Sequence, residues 1–194
     1  MRTATTTAIL LLFGTAEPLM ANPPEGPAAI VRLSAGLEAR VGLVGRSKER
    51  DRVSVSMQIE NTGKEAVQLL LIGPAPFIAD NAGSTYDFAN FSGAAQCSTL
   101  HVADAASCIG HSKTESDAVP LEQYTQIDPG AVVSMTFGLS GRPSEATMLG
   151  FSSTFAFRIV ADPQNDQKRP EDERRKQIRT MSISFPAFQI SQAK

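Results

Sequence analysis

An antiparallel β-sandwich is the fold class this sequence predicts, and three observations predict it. Apolar side chains recur at every second residue in its most ordered stretches, glycine, proline, asparagine and aspartate separate those stretches at short intervals, and no comparable stretch carries a helical period. Several short strands joined by such turns favour two stacked sheets over an up-and-down barrel, with a small closed barrel as the alternative.

The first 21 residues, MRTATTTAILLLFGTAEPLMA, read as a cleaved export signal, with Arg2, an apolar core from Ala8 to Gly14, and small residues near the end. That core is too short to span a bilayer, and no later apolar run is long enough for an anchor, so no transmembrane segment is expected in the mature chain. Residues 22–28, NPPEGPA, form a proline-rich tether, and residues 29–194 are expected to be a single β-sandwich domain. Export would place that domain in the periplasm or outside the cell. The net charge is −2 and is unchanged by loss of the leader, because Arg2 and Glu17 cancel. Near neutrality gives no electrostatic basis for binding nucleic acid or an anionic membrane.

The clearest strand is RVSVSMQIE, Arg52 to Glu60, where Val53, Val55, Met57 and Ile59 face one way and Ser54, Ser56, Gln58 and Glu60 the other. Asn61-Thr62-Gly63-Lys64 then turns the chain into Val67 to Ile72, whose continuous apolar run suits a more deeply buried strand. The turn Asp128-Pro129-Gly130 leads into Val133 to Leu139, with Val133, Met135, Phe137 and Leu139 inward. Phe151, Ser153, Phe155, Phe157 and Ile159 form the next inward set, and Met181, Ile183 and Phe185 the last. Ala29 to Leu33, Leu37 to Val44 and Ser84 to Phe88 are weaker strands, which brings the expected total to about eight. Two facing sheets would enclose most of the phenylalanines.

Residues 162–177, DPQNDQKRPEDERRKQ, break this pattern, with five acidic and five basic side chains and no aliphatic or aromatic residue. Such a segment is expected outside the core, as a long polar loop or a short solvated helix between two late strands. Lys168, Arg169, Arg174, Arg175 and Lys176 make it a candidate partner-binding loop, since exposed loops on rigid scaffolds commonly carry recognition.

Both cysteines and both histidines lie between Cys97 and His111, in the spacing C-x3-H-x6-C-x2-H. Four such ligands could close a tetrahedral zinc site, but the tight C-x2-C pair is missing and thiolates would have to survive an oxidising compartment. One disulfide, Cys97 to Cys108, is the simpler reading; closing a loop of about twelve residues would stabilise the fold by roughly 3 kcal/mol. His101 and His111 then remain as a weak two-imidazole metal candidate. Asp80 and Asp87, around Gly83, offer oxygen ligands at close spacing without the EF-hand order, and a tight turn with Gly83 at positive φ is the plainer expectation. No nucleophile elbow, H-E-x-x-H helix or phosphate-cradling glycine loop is present, so no catalytic residue is nominated.

Val53 to Phe88, VSVSMQIENTGKEAVQLLLIGPAPFIADNAGSTYDF, resembles the secreted immunoglobulin-like domains of the telokin-like kind found in bacterial exported proteins. The matching features are Asn61-Thr62-Gly63 after a strand, the turn from Asn81 to Tyr86, and the Pro-Gly turn and strand within Ile127 to Leu139. The resemblance implies an immunoglobulin-like sandwich and no particular activity. The function expected is therefore an exported, non-enzymatic binding or protein-interaction module, without a cofactor, whose partner is another exported or envelope protein. One alternative is a metal-binding protein or metal-dependent hydrolase using His101 and His111. Another is a structural subunit of an envelope assembly joined through a sheet edge.

Overall fold

Nine antiparallel strands build two facing sheets in the computed structural model, which describes residues 29–47, 52–97, 105–110, 118–141 and 148–189. The strands are β1 (Ile30–Arg32), β2 (Leu37–Ser47), β3 (Arg52–Asn61), β4 (Ala66–Asp80), β5 (Thr85–Ser92), β6 (Thr125–Ile127), β7 (Val132–Ser140), β8 (Met148–Val160) and β9 (Arg179–Gln189). The first sheet runs β1-β2-β3-β7-β5, and the second places β4 beside β8 and β8 beside β9, with short β6 on the other edge of β4. The hairpin-proximal residues Thr85 and Tyr86 of β5 pair with β4, whereas Asp87 to Ser92 pair with β7. One strand thus passes from sheet to sheet, completing an immunoglobulin-like antiparallel sandwich. The signal and tether expected at residues 1–28 lie outside the described residues.

Period-two alternation translates directly into the core. Val53, Val55, Met57 and Ile59 of β3 are buried, as are Met135, Phe137 and Leu139 of β7 and Ile183 and Phe185 of β9. Rings from both sheets meet between them. Phe91 lies 4.9 Å from Phe137, Phe137 4.8 Å from Phe151, and Phe151 6.4 Å from Phe185, centroid to centroid. These separations suit tilted and edge-to-face aromatic contact. Among the phenylalanines whose burial is described, Phe77 is the exposed one, at 58% of its surface.

β4 is buried on both faces. Val67, Leu69 and Leu71 alternate with Leu70 and Ile72, and all five are at most 1% exposed. A strand covered on both sides has no reason to alternate, which explains its continuous apolar run. At its start, Asn61 is fully buried and organises the turn. Its side-chain amide donates to the carbonyls of Glu65 and Ile127, at 2.8 and 2.9 Å, while its Oδ1 accepts from Gly63 N–H at 3.0 Å. At its end, Asp80 Oδ1 accepts from Ala82 and Ser84 N–H, both at 2.9 Å, and Gly83 adopts φ +83°.

Two expectations change here. Ile159 belongs to the alternating set of β8 but is 38% exposed, because it lies near the end of the strand, opposite Val67 at the sheet margin. The polar segment does not stay wholly outside the packed interior. It folds into two short helices, α2 (Pro163–Asp166) and α3 (Glu171–Arg175), and Asp166 is buried. Hydrogen bonding and charge pairing admit it where hydrophobicity would not.

Candidate functional site

The insertion is placed by its own capping chemistry and by β8. Asp162 N-caps the first helix, its Oδ1 accepting from Gln164 and Asn165 N–H at 3.0 and 3.2 Å, and Pro163 occupies the first turn with its φ already suited to a helix. One turn later Asp166 lies over the outer face of the second sheet. There it meets Arg158, on the face of β8 opposite Phe155 and Phe157. Arg158 is 1% exposed and makes a bidentate ion pair, with Nη1 to Oδ1 at 3.0 Å and Nη2 to Oδ2, while its Nε donates to Gln68 Oε1 at 2.7 Å. Gln68 is the cross-strand neighbour of Arg158, so sheet register itself delivers the third contact.

The second helix is tied to the cysteine segment. Cys97 and Cys108 are both buried and disulfide-bonded, with Cα atoms 5.9 Å apart, and Cys108 ends the short helix α1 (Ala105–Cys108). Arg175 donates to the carbonyls of Ile109 and Val119, at 3.2 and 3.1 Å, and to Glu171 Oε1 from Nε at 2.9 Å. Arg174 reaches Glu122 Oε1 at 3.2 Å. The carboxyl of Glu122 is held below the usual carboxylate range, first by a hydrogen bond from its own backbone N–H and then by Arg174. Of the five basic residues nominated from the sequence, Arg174 and Arg175 therefore brace the insertion against the body. Lys168, Arg169 and Lys176 face solvent.

Between these parts lies a polar cavity of about 200 Å³, lined by Gln68, Gln126, Tyr124, Arg158, Asp166 and Arg174 among others. Two of its polar atoms are buried without a hydrogen-bond partner, the Tyr124 hydroxyl and Arg174 Nε. Burial is the main influence on Tyr124 and pushes its hydroxyl up to about 12, against a weaker opposing pull from Arg175 and Arg158. The folded state therefore keeps a proton that the unfolded chain releases near pH 10. Stability linked to Tyr124 is present below that pH and is lost as pH rises from about 10 towards 12, by up to about 2 to 3 kcal/mol. Tyr124→Phe should flatten this part of the curve relative to the native chain in urea titrations between pH 9 and 12. Superimposable curves would show that the hydroxyl is not held in this way.

A larger hollow of about 320 Å³ borders Phe77, Leu149, Phe151 and Pro186. It is mainly apolar, and none of its lining residues holds a buried unpartnered polar atom among the described residues.

The remaining sequence candidates are dispersed. Asp80 turns its other oxygen to Tyr86, whose hydroxyl donates at 2.7 Å, so its carboxylate is engaged in the β4–β5 turn. Asp87 is exposed on β5. His101 and His111 lie outside the described residues. Arg158, Asp166, Gln68 and Tyr124 were not nominated from the sequence at all. The available signals were an arginine inside the apolar strand FAFRIV and an Asp-Pro helix start, DPQND, a few residues later.

No protein-family model and no curated protein matches the chain. Among solved structures, it is similar to the GAE domain of GGA2p from Saccharomyces cerevisiae, at 6% identity over 83% of this chain and 96% of that one, with a TM-score of 0.41. It is also similar to a PapD-like domain of human CEP192, at 12% identity over 99% and 100% of the two chains, with a TM-score of 0.34. A family 123 glycoside hydrolase from Clostridium perfringens matches at 9% identity and a TM-score of 0.29, over 81% of this chain and 28% of that one. At these identities and scores no role passes from those proteins to this one.

Proposed function

We infer that this is an exported, non-enzymatic protein-interaction module of the telokin-like immunoglobulin kind, acting in the periplasm or outside the cell on another exported or envelope protein. The observation that carries the interaction reading is the insertion itself. Charged residues that add no apolar core are folded into helices, anchored by the buried Arg158–Asp166 pair and by the Arg175 bonds to the Ile109 and Val119 carbonyls, and left with Lys168, Arg169 and Lys176 projecting outward. A rigidly held polar surface loses little entropy on docking, which is the condition under which exposed side chains contribute most to binding. The apolar leader and the disulfide support export. No helix among the described residues is long and apolar enough to cross a membrane.

Deleting the whole basic stretch is a poor test, because it removes the braces together with the exposed charges. The discriminating variant is Lys168→Glu with Arg169→Glu. Crosslinked capture from the native envelope or medium is expected to recover a partner with the native chain. The variant should bind that partner at least about tenfold more weakly while its stability stays within about 0.5 kcal/mol. Equal recovery and equal affinity for both proteins would remove the insertion from the interface.

A further inference from the structure

The cavity under α2 holds two features that belong together. Buried polar groups almost always find a partner, and leaving one without costs roughly 1–3 kcal/mol. Here the Tyr124 hydroxyl, in a residue only 4% exposed, and Arg174 Nε both lack one.

The three arginines around the insertion differ in how their forks are filled. Arg158 is saturated by Asp166 and Gln68, and Arg175 places both Nε and Nη2 on Glu171. Arg174 uses only Nη2, at 3.2 Å, on a glutamate whose side chain is 65% exposed, and the adjacent Nε is idle. Arginine binds carboxylates best with two parallel N–H groups, and a single contact to a solvated carboxylate is weak. Arg174 Nε–H is a donor only and the Tyr124 hydroxyl can donate as well as accept, so an oxygen acceptor is the one partner that suits both. The charge of Arg158 is matched by buried Asp166, while that of Arg174 is matched only by the solvent-facing Glu122, which an incoming anion can replace. The cavity, at about 200 Å³, exceeds the ~30 Å³ share of a single water and falls below drug-sized sites. That size suits a group of a few heavy atoms.

We propose that this cavity is a carboxylate-binding subsite. The carboxylate takes Nε–H and Nη2–H of Arg174 side by side, displaces Glu122, and accepts a further hydrogen bond from the Tyr124 hydroxyl. A free small acid and the carboxylate of a polypeptide share this chemistry.

The test is an NMR titration of the full chain labelled at arginine and tyrosine, with sodium acetate in one arm. The other arm uses a short peptide bearing a free C-terminal carboxylate, with its amidated form as control, and sodium chloride holds ionic strength constant. Tyr86 is the only other tyrosine, so the Tyr124 ring signals are readily assigned. Saturable shifts of Arg174 Nε–H and the Tyr124 ring are expected. Arg174→Gln should abolish them, and Tyr124→Phe, which removes a hydroxyl without a partner, should weaken binding about 3- to 10-fold. Saturation by acetate assigns a free acid, and saturation by the peptide alone assigns a polypeptide carboxylate. The absence of saturation in both arms, or equal shifts with chloride or the amidated peptide, overturns the proposal and leaves a hydrated cavity. The Lys168→Glu, Arg169→Glu variant should bind acetate as the native chain does, so the subsite and the partner surface fail or stand separately.

Discussion

Asp166→Ala is expected to destabilise the domain by about 3 to 5 kcal/mol, the largest loss of any single substitution outside the apolar core. The replacement leaves the Arg158 guanidinium, 1% exposed, with Gln68 as its remaining side-chain partner and no counter-charge. Arg158 projects from the middle of a sheet and cannot carry its charge to water without disturbing β8. The converse change, Arg158→Met, should cost less. Asp166 ends a helix of four residues and can turn its carboxylate towards solvent. Replacing both, as Arg158→Met with Asp166→Leu, should recover most of the loss, since a buried ion pair adds little over apolar side chains of similar volume. Urea unfolding of the four proteins completes a double-mutant cycle. A cost below about 1 kcal/mol for Asp166→Ala would show that the pair is solvated and that the insertion is not anchored through it.

The disulfide has the second largest expected effect. Cys97→Ala with Cys108→Ala should cost about 2 to 5 kcal/mol, chiefly by restoring freedom to the unfolded chain, with a smaller part from two fully buried sulfur atoms. The consequence reaches beyond the loop. Cys97 N–H donates to the Leu71 carbonyl at 2.8 Å and Leu71 N–H donates to the Ala95 carbonyl at 2.9 Å, which stitches this segment to β4, and Cys108 is followed by Ile109, whose carbonyl holds Arg175. Loss of the bond should therefore loosen α3 as well. Arg175→Gln, destabilising in the native background, should cost clearly less in the cysteine-free protein. Strict additivity of the two changes would mean that the cysteine segment and the insertion are independent.

The strands were legible because their signal is local. A sandwich strand with one wet face must alternate, and β3, β7 and β9 show the expected inward residues almost one for one. Turn chemistry was equally readable: Asn61-Thr62-Gly63, Asp80 to Gly83 and Asp128-Pro129-Gly130 each make turns whose residue types are required by their hydrogen bonds or by positive φ. The pairing of Cys97 with Cys108 followed from there being only two cysteines in a chain whose leader reads as an export signal. The short β6 was not foreseen, since three residues carry no period.

The site was much less legible. Composition makes residues 162–177 look like a solvated loop, and for Lys168, Arg169 and Lys176 that holds. It misleads for Asp166, Arg174 and Arg175, because burial of a charged side chain depends on a partner elsewhere in the chain. Arg158 is eight residues from Asp166 in sequence, but Glu122 is 52 from Arg174, and Val119 is 56 from Arg175.

By itself, then, the sequence determined the all-β class, the inward face of most strands, the main turns and the disulfide, all of which depend on neighbours along the chain or on simple counting. Tertiary structure alone decided which charges are buried, that the insertion is braced to the cysteine segment, and that Tyr124 and Arg174 share a cavity. Those outcomes depend on how the second sheet's outer face is covered, and the energy of a buried charge is set by the groups around it in space rather than by its neighbours in the chain.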